Sequence, residues 1–265
     1  ANYSKGPAFI SEEDIFSVYK DTDLSRYEGG VERRTAQGFP LGFQIEQMIY
    51  SWGFGDYADM IFLKYLFIHP EKIGKVNTDT LYQCWMASVQ DVDITLRTNP
   101  VGGAGNDRAR HYSEEDTLNL AVQWTNGDRG ETGNGFGYLG FNFLESPAVD
   151  AESFIRKDRK QYPTTEQLGM RTMRNWPITV DPLENEDRYN FMSTGQRDGD
   201  EGPGDRRLLM ATGPFNMLPG DSARIVVGIV LGSTSTGKDA TGTTEDMAEL
   251  VRKVRFAQFV YNNNF

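Results

Sequence analysis

The sequence contains few of the residues that build metal centres and nucleophilic active sites. Its 265 residues include one cysteine, Cys84, and two histidines, His69 and His111. A single cysteine cannot form a disulfide within the chain. A zinc site takes three or four protein ligands at recognisable spacings, and the Gly-x-Ser-x-Gly turn of many serine hydrolases is absent. We therefore interpret Cys84, His69 and His111 as structural residues.

Long apolar runs and an excess of basic residues are also absent. The 27 Lys and Arg residues are outnumbered by 38 Asp and Glu residues, which gives a net charge of −11. Phosphate recognition needs clustered Lys and Arg, so the composition argues against a nucleic-acid partner. No stretch approaches the roughly 20 apolar residues of a membrane-spanning helix. A hydrophobic content of 38% suits a folded, soluble globule, and we treat residues 1–265 as a single domain.

Alternation of apolar and polar side chains with a period of two, which is typical of β-strands, is the strongest pattern in the sequence. The alternation is clear at Leu41, Phe43 and Ile45, whereas residues 60–68 form an almost continuous apolar run that suits a buried strand. The predicted strands are residues 14–19, 41–52, 60–68, 81–89, 117–124, 136–144, 208–211 and 223–231. Many short strands separated by turn residues predict a mainly β fold, an antiparallel β-sandwich-like domain with long loops.

One C-terminal α-helix is predicted over residues 243–261, where apolar residues follow helical spacing. Thr243 and Thr244 are suitable N-cap residues, and the acidic residues that follow suit the positive end of a helix dipole. Residues 213–221 are predicted to connect the last two strands, with a turn at Pro219-Gly220-Asp221. Residues 145–207, where periodicity is weak, are predicted to form long excursions with short elements.

Two glycine-rich segments resemble nucleotide-binding motifs only in part. Gly135, Gly137 and Gly140 have dinucleotide-motif spacing, but the residues after them are predicted to form a strand where that motif needs a helix. The segment from Gly232 to Lys238 resembles a phosphate-binding loop, but Asp239 stands where a Ser or Thr would bind magnesium. We interpret both segments as structural turns and loops.

Two acidic segments are candidate cation sites. In the first, Asp91 and Asp93 are followed, after a glycine-rich stretch, by Asn106 and Asp107. Calcium prefers six to eight oxygen ligands, which carboxylates, amides, backbone carbonyls and water can supply. The second segment contains the candidate ligands Asp198, Asp200 and Asp205. The alternative interpretation is that both are solvated loops, the second neutralised by the neighbouring arginines Arg197, Arg206 and Arg207.

Sugar binding or hydrolysis is the main alternative chemistry. Glycoside hydrolases use a pair of Asp or Glu residues on either side of the scissile bond, and the 38 acidic residues offer many such pairs by chance. Tryptophans 52, 85, 124 and 176 are candidates for stacking on sugars. Aromatic side chains more commonly fill protein cores, so these features favour glycan binding only as an alternative.

Several short motifs resemble segments of large secreted or cell-surface proteins of Bacteroidota and related bacteria, many of which are associated with type IX secretion. The motifs, in order, are Phe9-Ile-Ser-Glu-Glu-Asp14, Asp21-Thr-Asp23, Ile61-Phe-Leu-Lys-Tyr65, Asp91-Val-Asp93, Gly213-Pro-Phe215 and Leu218-Pro-Gly-Asp221. The resemblance implies a β-rich extracellular module that is part of a larger polypeptide. Such proteins often carry a glycine after the Asp-x-Asp motif, where this sequence has Ile94-Thr95. The resemblance implies no catalytic residues.

These observations together predict a non-enzymatic structural or adhesive module, located outside the cell or at its surface. The expected partners are proteins, including further copies of the chain in a surface assembly or filament. Calcium is the candidate cation. The alternative function is a carbohydrate-binding module or a glycoside hydrolase that uses Asp/Glu pairs.

Overall fold

The computed structural model describes residues 9–21, 41–95, 104–128 and 137–265. Within these ranges the strands are β1 (Glu13–Lys20), β2 (Gln44–Ser51), β3 (Met60–Ile68), β4 (Lys72–Ile73), β5 (Val76–Asn77), β6 (Leu81–Asp91), β7 (Asp107–His111), β8 (Leu120–Thr125), β9 (Tyr138–Glu145), β10 (Thr172–Pro177), β11 (Arg206–Met217) and β12 (Ser222–Gly232). The α-helices are α1 (Asn185–Met192) and α2 (Ala248–Asn262).

Two antiparallel sheets form the body of the protein. The larger sheet has seven strands in the order β1-β2-β3-β12-β9-β8-β7, and the smaller has three strands in the order β10-β11-β6. Strands β4 and β5 form a separate short hairpin. The arrangement is the mainly β, sandwich-like fold that the alternating pattern predicts.

The sheets face each other across an apolar core. The larger sheet contributes Phe141, Phe143 and Ile225, and the smaller sheet contributes Met210 and Phe215, all of which are buried in one cluster. This cluster contains no residue of β1 or β2, because the three-stranded sheet is narrower than the seven-stranded sheet. This face of the larger sheet is therefore covered over β7, β8, β9 and β12 and in part over β3.

Helix α2 covers the other face of the larger sheet. Leu250, Val251 and Val254 of α2 pack with Phe62 and Trp124 in a second buried cluster. The helix lies close to the sheet because a β-carbon at Gly232 would stand 2.6 Å from the Leu250 Cα atom. Helix α1 packs on the outer face of the smaller sheet, against Trp176 and Leu209, through Phe191 and Met192. The layers are thus α2, seven strands, three strands and α1.

The structure confirms the predicted strands and corrects several boundaries. The C-terminal helix begins at Ala248 instead of residue 243, because residues 244–247 form a turn in which the Asp246 side chain binds the preceding loop. Residues 213–217, predicted as a connection, continue strand β11. Shifts in the register of β11 against β6 accommodate this Gly-Pro segment, as β-bulges commonly do. The turn predicted at Pro219 and Gly220 is present.

Candidate functional site

Three chain segments that carry predicted metal ligands meet at one end of the sandwich. Strand β6 ends at Asp91, β7 begins at Asp107, and β11 begins just after Asp205. The backbone joins these segments, because the Gly204 N–H donates to the Asp107 carbonyl over 2.9 Å and Arg207 lies opposite Asp91 in the β6–β11 register. The convergence depends on pairing between residues that lie about a hundred positions apart in the chain.

Carboxylate oxygens of Asp91, Asp93 and Asp205 lie within 4.8 Å of one another. Calcium binds oxygen at about 2.3–2.6 Å, so ligands on opposite sides of one ion stand about 5 Å apart. The spacing therefore fits a shared cation. Arginine supplies part of the compensating charge, since the Arg207 Nε and Nη2 atoms lie 2.9 Å and 2.8 Å from Asp91 Oδ2.

Asp107 lies directly behind this trio and is fully buried. Both of its carboxylate oxygens lie 3.3 Å from the Ile94 backbone nitrogen, which are long hydrogen bonds. Burial outweighs these bonds and, together with the negative charges of Asp93 and Asp205, raises the pKa of Asp107 to about 7. Among the described residues, no Lys, Arg or His forms an ion pair with Asp107. A cation in the adjoining trio would supply the positive charge that this carboxylate lacks.

The buried amide of Gln123 completes the polar surroundings of Asp107. Its Nε2 atom donates to the Val92 carbonyl, between Asp91 and Asp93, over 2.6 Å. Its Oε1 atom is buried and has no hydrogen-bond partner within the described part of the chain. Gln123 is not among the predicted site residues, because it lies on β8, away from the acidic segments in sequence, and no local pattern marks it.

The structure groups the predicted ligands differently from the sequence analysis. Asp205 joins Asp91 and Asp93, whereas Asp198 and Asp200 do not. The buried Asp198 carboxylate accepts hydrogen bonds from Arg174 Nε and the Asn175 N–H, both at 2.9 Å. Asp200 pairs with Arg108 at 2.6 Å. Arginines thus neutralise these two carboxylates, but they are Arg174 and Arg108, not the neighbouring arginines named in the alternative interpretation.

Asn106 takes part in this region through its backbone. Its carbonyl oxygen accepts a hydrogen bond from the Thr125 hydroxyl over 3.1 Å, and its side chain is exposed. The prediction that Asn106 is a metal ligand stays a prediction, as does calcium binding at this end of the sandwich.

The segment after Gly232 serves as a structural loop around Asp246. The fully buried Asp246 carboxylate accepts hydrogen bonds from the Tyr138 hydroxyl at 2.6 Å, the Thr236 hydroxyl at 2.7 Å and the Thr241 N–H at 3.0 Å. Burial raises the pKa of Asp246, but these hydrogen bonds outweigh it and the pKa is lowered. Helix α2 begins well beyond this loop, at Ala248, so the loop does not lead into a helix N-terminus.

The other glycine pattern also fits a turn and a strand. Gly140 lies inside β9, and Gly137 precedes that strand with a φ of +92°. Gly135 lies outside the described residues.

The histidines and the cysteine occupy structural positions. His69 is buried, and its Nε2 atom lies 2.8 Å from the Asp79 carbonyl. Burial lowers the pKa of His111, with the Arg197 charge acting in the same direction. Burial raises the pKa of the Cys84 thiol to about 11.

The tryptophans also pack within the protein. Trp124 and Trp176 are buried, and Trp52 and Trp85 are partly buried against the apolar clusters. These positions agree with the interpretation that the tryptophan side chains fill the protein core and do not stack on sugars.

A basic cleft lies at the opposite end of the larger sheet. It has a volume of about 330 Å³, and its basic lining residues are Arg156, Lys157, Arg159, Lys160 and Arg224. An adjoining cleft of about 220 Å³ shares two of these residues and adds Lys64. Burial lowers the pKa of Lys64, and the nearby charge of Arg224 lowers it further. The region concentrates positive charge in a protein whose net charge is −11.

Carboxylates neutralise part of this basic cleft. Arg224 pairs with the buried Glu145 at 2.7 Å, and Arg156 pairs with Glu166 at 3.0 Å. Neither Lys64 nor Lys160 has an ion-pair partner among the described residues. The cleft can therefore accept an anionic group.

The edge of the larger sheet at β1 is apolar and exposed on both faces. Ile15 and Tyr19 are 50% and 45% exposed, and on the opposite face Phe16 and Val18 are 51% and 45% exposed. Ile61 of β3, on the same face as Ile15, is also exposed. This surface is where the seven-stranded sheet extends beyond the three-stranded sheet and α2.

Comparisons with protein-family models, with curated proteins and with solved structures found no match to this chain. None of the helices in the described ranges is long and apolar enough to cross a membrane.

Proposed function

We propose that this chain is a structural, protein-binding module of an extracellular or cell-surface assembly and that it has no catalytic role. The observation that carries the proposal is the open β1 edge, where four large apolar side chains are about half exposed on the two faces of one strand. Monomeric proteins rarely leave contiguous apolar surface exposed, and such surfaces commonly mark contacts with other proteins. The proposed extracellular location rests on the resemblance of short motifs to secreted Bacteroidota proteins.

Cell-surface binding and self-association of the purified chain test this proposal. An Ile15→Asp/Tyr19→Asp variant places charge on the open edge, and a Val89→Asp variant places charge on an apolar position of β6 that is somewhat more exposed. We expect sedimentation and pull-down measurements with isolated cell-surface proteins to show binding by the wild type and by the Val89 variant, and loss of binding in the edge variant. A wild-type chain that stays monomeric and binds no surface protein would contradict the proposal.

The second candidate function is recognition of acidic glycans, and the basic cleft favours it. Lys64 and Lys160 border this cleft without ion-pair partners among the described residues, so a sulfate or carboxylate group can pair with both. Binding to an array of sulfated and uronic-acid glycans should be lost in a Lys64→Ala/Lys160→Ala variant and retained in a Lys75→Ala control. A reducing-sugar assay on the bound glycans separates binding from hydrolysis.

A further inference from the structure

Strand β1 is an edge strand with few of the features that usually prevent edge pairing. Among the described residues no strand lies beyond it. It has eight residues, contains no proline, and pairs with β2 in a continuous register without a bulge. Natural edge strands are commonly short, bulged or charged along their length. In β1 the charged side chains are confined to the ends, with Glu13 and Asp14 at one end and Lys20 at the other.

The hydrogen bonds to β2 determine which residues of β1 face the open side. The Asp21 N–H donates to the Phe43 carbonyl over 2.8 Å. Asp21 and Phe43 form the next opposed pair of the ladder after Lys20 and Gln44. Hydrogen-bonded and non-hydrogen-bonded pairs alternate along an antiparallel ladder. Odd-numbered residues of β1 therefore bond to β2. The N–H and C=O groups that point away from β2 belong to Asp14, Phe16, Val18 and Lys20.

A backbone hydrogen bond between the ends of β3 and β12 supports this assignment. The alternation, carried through the continuous registers of β2, β3 and β12, requires His69 and Asp221 to form a hydrogen-bonded pair. The His69 N–H does donate to the Asp221 carbonyl, over 2.8 Å. The outward-facing set is therefore consistent across the sheet.

We propose that two copies of this chain pair antiparallel through β1, about a two-fold axis at Ser17. The inference rests on the proposed function, because it identifies the partner of the open edge as a second copy. In such a pair, each outward-facing residue of one copy must lie opposite an outward-facing residue of the second copy. Registers that differ by two residues meet this condition, and a shift of one residue does not. The register centred on Ser17 uses all four outward-facing residues, and a shift of two residues in either direction leaves one of them unpaired.

The side chains agree with the register centred on Ser17. Asp14 of one copy lies opposite Lys20 of the second copy at both ends of the paired segment. Phe16 lies opposite Val18 on one face of the joined sheet, and Ile15 lies opposite Tyr19 on the other face. Cross-strand apolar pairs and opposite-charge pairs both stabilise antiparallel sheets. The small side chain of Ser17 meets its own counterpart on the axis.

The particle mass tests the pairing first. We expect sedimentation velocity to show a wild-type particle of twice the 29.9 kDa chain mass. A Val18→Pro variant should be monomeric and folded, since the Val18 N–H points away from β2 and proline there removes no bond within the sheet. Lys20→Glu places two acidic residues opposite each other, and we expect it to weaken the dimer about tenfold. Lys75→Glu, with the same charge change in an exposed turn, should leave the dimer unchanged.

Disulfide cross-linking tests the register without depending on the proline variant. In a Cys84→Ala background, which removes the sole cysteine, Ser17→Cys should form a disulfide-linked dimer under mild oxidation. Residues on the axis of a non-hydrogen-bonded pair stand about 4.5 Å apart at Cα, within the range of a disulfide. Phe16→Cys and Val18→Cys lie on the axes of the two shifted registers and should cross-link poorly.

The outcomes separate this inference from the proposed function. A dimer lost in Val18→Pro and cross-linked through position 17 supports the inference. Cross-linking through position 16 or 18 but not 17 overturns the register, and a wild-type monomer at all concentrations overturns self-pairing. If that monomer still binds another surface protein through β1, only the self-pairing fails. If it binds none, the proposed function fails as well.

Discussion

Replacement of Asp107 by asparagine is expected to stabilise the protein at neutral pH and to leave its stability unchanged in acid. Asp107 is a fully buried carboxylate behind Asp91, Asp93 and Asp205, and its hydrogen bonds from Ile94 are long, at 3.3 Å. A buried charge without a close counter-charge is strongly unfavourable. Asparagine keeps an acceptor for the Ile94 N–H and removes the charge.

The magnitude follows from the pKa of Asp107. Burial, with the charges of Asp93 and Asp205, raises this pKa from 3.8 to about 7. The difference of about three units corresponds to a ceiling of about 4 kcal/mol, at about 1.4 kcal/mol for each unit. The Asp93 side chain is exposed and that of Asp205 is partly exposed, so water screens part of the repulsion. We therefore expect Asp107→Asn to gain about 2 kcal/mol at pH 8.

The sign of the pH dependence follows from proton binding. The folded state holds the Asp107 proton up to a pH of about 7, whereas the unfolded chain releases it near 3.8. The wild type is therefore most stable, with respect to this group, below about pH 4. The contribution of Asp107 to the free energy of unfolding falls as the pH rises towards 7, and above that pH it does not change further. The asparagine variant lacks this dependence.

Urea denaturation at pH 5 and pH 8, at constant ionic strength, measures the effect. Asp198→Asn is a matched control, because Asp198 is also a buried aspartate but is paired with Arg174 at 2.9 Å. The control should lose stability, since it removes the carboxylate charge that pairs with the partly buried Arg174 guanidinium. A variant at position 107 that is less stable than the wild type at pH 8, or whose advantage is the same at both pH values, would refute the reasoning.

Three further predictions concern the same region and the packing of α2. Millimolar calcium should raise the melting temperature and release heat in calorimetric titration, and Asp205→Asn should abolish both; the absence of both in the wild type would contradict a calcium site. Gly232→Ala should lower the free energy of unfolding by about 2 kcal/mol or more, because its β-carbon would overlap the α2 backbone. Gly199 has open space around it, so the control Gly199→Ala should lower the free energy of unfolding by less than about 0.5 kcal/mol. Tyr138→Phe should cost about 1–3 kcal/mol in urea denaturation, because it removes a donor to the buried Asp246 carboxylate; a loss no larger than that of the Gly199 variant would contradict this.

The strands that the sequence predicts correctly are those with apolar side chains at alternate positions. Strand β7, Asp107–His111, also alternates, but its buried side chains are Asp107, Ala109 and His111. Hydrophobic patterning cannot identify such a strand, because two of its three inward residues are polar. Helix α1, Asn185–Met192, is not predicted because none of its residues is buried and it has no continuous apolar face that would give a helical pattern.

The composition of the acidic site could be predicted only in part. Asp91, Asp93 and Asp107 are predicted as one group because they lie near one another in the chain. Asp205 is predicted in a separate cluster, whereas the register that places Arg207 opposite Asp91 brings Asp205 to the first group. That register is the pairing of β6 with β11 within the smaller sheet, between residues more than a hundred positions apart, which local sequence does not encode. Gln123 reaches the site through the pairing of β7 with β8 for the same reason.

The distribution of charge bears on how two copies can meet. Strand β9 begins at Tyr138, near the acidic end of the sandwich, and ends at Glu145, in the basic cleft. At about 3.3 Å per residue these ends are about 23 Å apart. Antiparallel pairing through β1 reverses the strand direction of the second copy and sets its basic end beside the acidic end of the first, whereas parallel pairing would align ends of like charge. Charges separated by several strands are largely screened at physiological salt, where the Debye length is about 8 Å. The ends therefore favour the antiparallel orientation only weakly, and the register of the proposed pairing rests on the outward-facing groups of β1.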